Sequence, residues 1–164
     1  MKPKIFISHK KEDTNKAEEL SRYIENNYGF ETYVDTLDID LNKMTSITER
    51  IVTKLRGSTH LLVIFSEYTK KSMWVPFELG ISYERGQGIG VFVNSRYIST
   101  PEYLNEFPEL KSESDLDKYL DEVKKYPSYG LEGISLEESK LTVENSLRGS
   151  NYAREFIDNL KSKL

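Results

Sequence analysis

Trp74 and Glu78 stand four residues apart in the stretch Ser72-Met73-Trp74-Val75-Pro76-Phe77-Glu78-Leu79. On a helix that spacing puts them on one face. Pro76 is not tolerated deep in a helix but is accepted in its first turn, so the helix is expected to begin near Ser72–Val75, with Ser72 as candidate N-cap. The dipole of those first turns is expected to keep Glu78 ionised. An ionised carboxylate beside an indole suits a cationic, planar, cleavable substrate. The ring can stack on it, and the carboxylate can stabilise an oxocarbenium-like centre. A plainer reading of the same spacing makes Trp74 a core anchor and Glu78 a solvated helix charge.

Other candidates carry less. The two histidines, His9 and His60, are too few for a metal site without carboxylate help, and none is expected. His60 opens an apolar run and reads as structural, whereas His9 ends the first strand, where a polar ligand contact is plausible. Ser8 and His9 lack the G-x-S-x-G setting of a nucleophile elbow, and neighbours on a strand point to opposite faces. Asp35, Asp38 and Asp40 lack the glycine and distal glutamate of a calcium loop, so they read as a solvated acidic loop. Gly86, Gly88 and Gly90 follow a helix and enter a strand, the reverse of a phosphate-binding loop, and read as C-cap and turn glycines.

The elements that would position these residues alternate. Lys4–Ser8 is a short apolar, β-branched run, followed by candidate N-caps Asp13 and Thr14. A helical stripe of Ala17, Leu20, Ile24 and Tyr28 comes next, stopped by Gly29. Phe30–Asp35 reads as a second strand, Thr36–Thr45 as a polar loop, and Ile47, Ile51 and Leu55 as a second helix ending near Gly57. His60–Ser66 is apolar nearly throughout, as a central strand covered on both faces should be. A helix over Trp74–Arg85, closed by Gly86, and a strand Ile89–Val93 complete the pattern. Helix-sized crossovers between strands predict an α/β, doubly wound parallel sheet. In that architecture ligands bind beyond the carboxyl ends of the strands, here the loops starting at Ser8, Asp35, Ser66 and Asn94.

The region after residue 94 is less legible. Asp115–Tyr126 suggests a short helix, Leu141–Asn145 a last strand, and Tyr152, Phe156, Ile157 and Leu160 a C-terminal helix capped by Ser150 or Asn151. Pro127–Ser139 has no clear period and reads as a lid or an edge decoration.

Composition narrows the classes. The 164 residues suit one domain, residues 1–164, with a core over 4–94, a variable segment over 95–139 and a last strand and helix over 140–164. There are no cysteines, which excludes disulfides, thiolate metal sites and thiol nucleophiles. A net charge of −4 argues against nucleic acid and anionic membranes as partners. No apolar run approaches the ~18 residues of a membrane span, and the N-terminus lacks the apolar stretch of a signal peptide. The expected location is cytoplasmic.

Taken together, Phe6-Ile7-Ser8-His9 with Glu12-Asp13, then Tyr33-Val34-Asp35, then Trp74-Val75-Pro76-Phe77-Glu78 resemble the ordered motifs of a Toll/interleukin-1 receptor (TIR) domain. The last matches the W-x-x-x-E pattern of TIR domains that cleave NAD. The likeness covers residues 4–94 and fades beyond. It implies a flavodoxin-like fold with a five-stranded parallel sheet. For the bacterial type it implies NAD+ nucleosidase or ADP-ribosyl cyclase activity, with release of nicotinamide. NAD+ is then the substrate, with no cofactor. By the same resemblance Glu78 is the catalytic glutamate, Trp74 the aromatic wall, and Phe6, Ser8, His9 and Lys10 line the pocket. Lys10 would offer a charge to the diphosphate, and Asp35 would begin the long BB loop. The family's NADases assemble so that one copy's BB loop completes another's pocket. Stand-alone bacterial members resemble the sensor-synthase of Thoeris-type antiphage systems. There an ADP-ribose-derived signal, often a cyclic isomer, acts on a separate effector. Two other readings stay open: a non-catalytic TIR interaction module, and a nucleoside deoxyribosyltransferase-like enzyme.

Overall fold

The computed structural model describes residues 2–36, 44–95, 98–125 and 141–164. Five strands form one parallel sheet in the order β2-β1-β3-β4-β5. They are β1 (Lys4–His9), β2 (Glu31–Thr36), β3 (His60–Phe65), β4 (Gly88–Val93) and β5 (Glu109–Leu110). The helices are α1 (Thr14–Tyr28), α2 (Met44–Arg56), α3 (Trp74–Glu84), α4 (Glu113–Lys125) and α5 (Leu141–Lys161), with short 3-10 turns at Lys11–Asp13 and Glu102–Glu106.

Burial on both faces explains the unbroken apolar runs of β3 and β4, whose residues are all buried. One face joins Ile5, Ile7, Leu62, Ile64 and Phe92 to α1, α4 and α5 through Ala17, Leu20, Tyr119 and Phe156. The other joins Phe6, Leu61, Val63, Ile89 and Val91 to α2 and α3 through Leu55, Val75 and Leu79. The alternation of β1 therefore places Phe6 and Ser8 on the α2–α3 side and Ile5, Ile7 and His9 on the α1 side.

Gly29 and Gly86 adopt left-handed φ values of 66° and 70° just past α1 and α3, so both helices stop where glycine removes the Cβ penalty. Gly88 and Gly90 are not turn glycines, contrary to expectation. Both lie inside β4, where a Cβ on Gly88 would fall 2.5 Å from His60 Cδ2 and 2.8 Å from Phe156 Cε2. On Gly90 it would fall 2.9 Å from Tyr119 Cδ2. The missing side chains admit the rings of α4 and α5.

The C-terminal half also differs from expectation. Leu141–Asn145 is not a strand; it is the start of α5, which begins some ten residues before the expected cap at Ser150 or Asn151. Among the described residues the last strand is Glu109–Leu110, inside the segment read as variable, paired through Val91↔Glu109 and Phe92↔Leu110. Two residues are too few to show a period. Pro127–Ser139 lies outside the described residues, as do positions 37–43 of the loop after β2. Among the described residues no helix is long and apolar enough to cross a membrane.

Candidate functional site

The end of β1 and the start of α3 meet at one contact. Ser8 Oγ donates to Glu78 Oε2 at 2.5 Å, joining residues 70 positions apart. Pro76 occupies the third position of α3, where its missing N–H costs no helical bond. Ser72 Oγ accepts from the Trp74 N–H at 3.3 Å, although Met73 is the residue that precedes the helix. Glu78 then falls in the second turn, facing the sheet, and is fully buried.

Burial governs its charge. Removal from water pushes the Glu78 carboxyl up from 4.5 to about 7, against the Ser8 hydrogen bond and the Lys54 ammonium, which both act downward. The expectation that the helix dipole keeps Glu78 simply ionised is therefore corrected. The dipole fades after the first turn, and desolvation outweighs it. Oε1 is buried and has no hydrogen-bond partner among the described residues. An unsatisfied buried carboxylate oxygen is costly.

Aromatic rings lie on the same side of the sheet as this acid. Phe6, two residues before Ser8 on the same face of β1, is buried and sits 5.8 Å centroid-to-centroid from Tyr33 on β2. The Lys54 ammonium of α2 lies 4.8 Å from the Tyr33 ring centroid. Trp74 is half-buried against the same core and meets Phe77 edge-on at 5.8 Å. Met73 is exposed just ahead of it.

Thus Phe6, Ser8, Trp74 and Glu78 share the α2–α3 side of the sheet. His9 does not join them. It is buried on the α1 side, with Nδ1 3.3 Å from the Ile7 carbonyl oxygen and Nε2 3.4 Å from Thr14 Oγ1. Strand alternation separates it from its neighbour Ser8. Lys10 follows β1 in extended, half-buried backbone, and its carbonyl accepts from the Asp13 N–H at 2.8 Å. The backbone of Asp35 pairs with Ser8 in the sheet register, but its side chain lies outside the described residues. His60 is buried, held down to about 3 by desolvation, and packs 5.6 Å from the Phe156 ring.

One group was missed by sequence reasoning. Asp13 does not cap α1 with its side chain. It is buried, accepts from Ser66 Oγ at 2.5 Å and from Asn94 Nδ2 at 3.4 Å, and so ties the carboxyl ends of β3 and β4 to the loop after β1. The signal was present in that all three residues begin or follow strand-end loops, but their meeting depends on strand order. A cavity of about 620 Å³ lies beside this tie, lined by Lys16, Phe92, Asn94, Thr100 and Lys111. Its lining takes Phe92 from the α1 face and Ile98 from the α2–α3 face, and neither Ser8 nor Glu78 lines it.

A buried carboxyl that titrates near neutrality can stabilise a developing cation when ionised and take up a proton in the same reaction. The Ser8 hydroxyl fixes one of its oxygens, and the other has no hydrogen-bond partner among the described residues.

The TIR domain family profile matches residues 5–120. A curated relative, the probable 3′ cyclic ADP-D-ribose synthase of Bacillus cereus (strain MSX-D12), is 27% identical over 128 residues. That match covers 73% of this chain and 66% of the relative, so the chain spans just under two thirds of the relative's length. Among solved structures, the TIR domain of a Toll-related receptor from Hydra magnipapillata superposes with a TM-score of 0.53 at 17% identity. It covers 74% of this chain and 94% of that domain, a likeness in fold.

Proposed function

Since the chain belongs to the TIR domain family, we propose that it is an NAD+-cleaving enzyme whose Glu78 acts at the nicotinamide–ribose bond. The carrying observation is the buried Glu78 carboxyl, pushed to about 7 and held by Ser8 through one oxygen only. In the reaction the glycosidic C–N bond breaks and nicotinamide leaves as a neutral base with the electron pair. The ribose C1 becomes oxocarbenium-like opposite the ionised carboxylate. Water or an internal hydroxyl then forms the new bond at C1, and its proton passes to Glu78. Water gives ADP-ribose; an internal hydroxyl gives a cyclic ADP-ribose isomer.

Cyclisation is favoured by a pocket that excludes water. The relative's name, a cyclic ADP-D-ribose synthase, supports that branch. The product is then a signal for a separate effector in antiphage defence, made in the cytoplasm by copies that associate through their TIR domains. Trp74 and Phe6 would flank the nicotinamide end, where aromatic faces suit a cationic ring.

Incubation of NAD with the wild type and with Glu78→Gln, followed by chromatography and mass spectrometry, tests this. The expected result is free nicotinamide with an ADP-ribose product from the wild type and none from the variant. Turnover by Glu78→Gln at the wild-type rate, or intact NAD with both proteins, overturns it.

A further inference from the structure

The cavity of about 620 Å³ has no part in the reaction proposed above. Its volume falls within the ~300–1,000 Å³ typical of small-molecule sites. It lies where β4 and β5 end, at the carboxyl edge along which parallel α/β sheets bind ligands. Lys16 reaches it from the first turn of α1, with its ammonium 5.3 Å from the Phe92 ring centroid. Lys111 reaches it from the residue after β5. Among the described residues its charged lining is Lys16, Lys111 and Glu109, an excess of one positive charge in a chain of net charge −4. Both ammoniums have carboxylate partners, Glu19 at 2.8 Å from Lys16 and Glu109 at 3.1 Å from Lys111. Surface pairs of this kind are worth only ~0–1 kcal/mol, and an ammonium has three donors. Each lysine can therefore keep its carboxylate and still donate to a phosphate.

We propose that this cavity is a binding site for a nucleoside phosphate, separate from the site at Glu78. The ammoniums of Lys16 and Lys111 meet the phosphate, and Phe92 and Ile98 give apolar surface to the base. Between them the Thr100 hydroxyl and the Asn94 side-chain carbonyl offer hydrogen bonds to the sugar, while Asn94 Nδ2 stays on Asp13 at 3.4 Å. A bare anion would leave the apolar surface uncovered, and a neutral base would leave both ammoniums without an anion. Only a ligand that joins a ring to a phosphate answers the whole lining. Glu109 is the one lining group that opposes it, and its pairing with Lys111 places an ammonium beside that carboxylate.

Titration of the protein with ADP, adenosine or inorganic phosphate, followed by two-dimensional amide NMR, tests the proposal. ADP should shift the amides of Val93, Thr100 and Lys111 saturably, and bind about tenfold tighter than adenosine or phosphate alone. Lys16→Met and Lys111→Met should each weaken ADP binding about tenfold, the loss of one charge-assisted hydrogen bond. Thr100→Trp, which fills the cavity, should abolish the shifts at Val93 and Lys111. Unmoved cavity amides overturn the proposal, as does adenosine or phosphate binding as tightly as ADP. So does an ADP affinity unchanged in both lysine variants, the result expected if ADP occupies only the site at Glu78. Binding here does not depend on turnover, so intact NAD would sink the enzymatic reading and leave this measurement to decide by itself. Matched thermal unfolding curves show that the variants are folded.

Discussion

Ser8 at the end of β1 donates its hydroxyl hydrogen to Oε2 of Glu78 at 2.5 Å, and both residues are fully buried. The bond favours the ionised carboxylate, whereas burial favours the neutral acid, and burial is the larger. The proposed chemistry needs the ionised form, so turnover should rise through a midpoint near pH 7. In Ser8→Ala the hydrogen bond that favours the ionised carboxylate is gone, and the midpoint should move upward. Rates of NAD consumption across the neutral range measure it, and an unmoved or lowered midpoint contradicts the assignment.

Glu78 also costs stability. Its folded pKa is raised above 4.5, the value of the free group, to about 7. Below 4.5 both states are protonated and the acid is harmless. Between 4.5 and 7 the unfolded chain ionises while the folded one keeps its proton, so stability falls across that window and the full penalty stands above 7. Glu78→Gln keeps the shape and an acceptor for Ser8 without the charge. It should therefore be more stable than wild type at pH 8 by about 3 kcal/mol, with the advantage vanishing in acid. Denaturant midpoints at several pH values give the comparison.

Asp13 ties Ser66 and Asn94 across the ends of β3 and β4. Asp13→Ala leaves the buried Ser66 hydroxyl without its acceptor, at a cost of about 2 kcal/mol. Because Ser66 also anchors the turn that leads toward α3, accepting at its carbonyl from the Thr69 N–H at 3.1 Å, turnover should fall as well. Thermal unfolding alongside NAD turnover checks both parts.

Gly88 and Phe156 are complementary. A methyl on Gly88 would meet the Phe156 ring and His60, so Gly88→Ala should cost about 1–3 kcal/mol by overpacking. Phe156→Ala should cost about 3–5 kcal/mol by leaving a cavity. In the double variant the methyl meets only His60, so the costs should add to less than their sum. Additivity would separate the two sites. The same experiment reads how firmly α5 is docked.

Much of this molecule was legible along the chain. Apolar runs at Lys4–Ser8 and His60–Ser66, glycines after α1 and α3, and helix-sized connections are local features, and each forms where its pattern places it. Pro76 fixed the start of α3 and hence the height of Trp74 and Glu78. The sheet edge that gathers the site follows from the parallel crossover rule alone.

What the chain could not state is what each side chain meets. Residue order set Ser8 beside His9, but the pleat sent them to opposite faces, one to Glu78 and one toward α1. The helix dipole is a local term and suggested an ionised Glu78; desolvation depends on the whole fold and reversed the balance. The two-residue β5 exists only because β4 offers its edge, and residues after Leu141 are helical where their pattern suggested a strand. Asp13 with Ser66, and Lys54 with Tyr33, are brought together by strand order β2-β1-β3-β4 and the helices laid on it. Local sequence fixes propensities and element ends, because these depend on neighbours within a turn or a pleat. Burial, charge balance and the company of a candidate acid depend on distant residues, and only tertiary packing decides them.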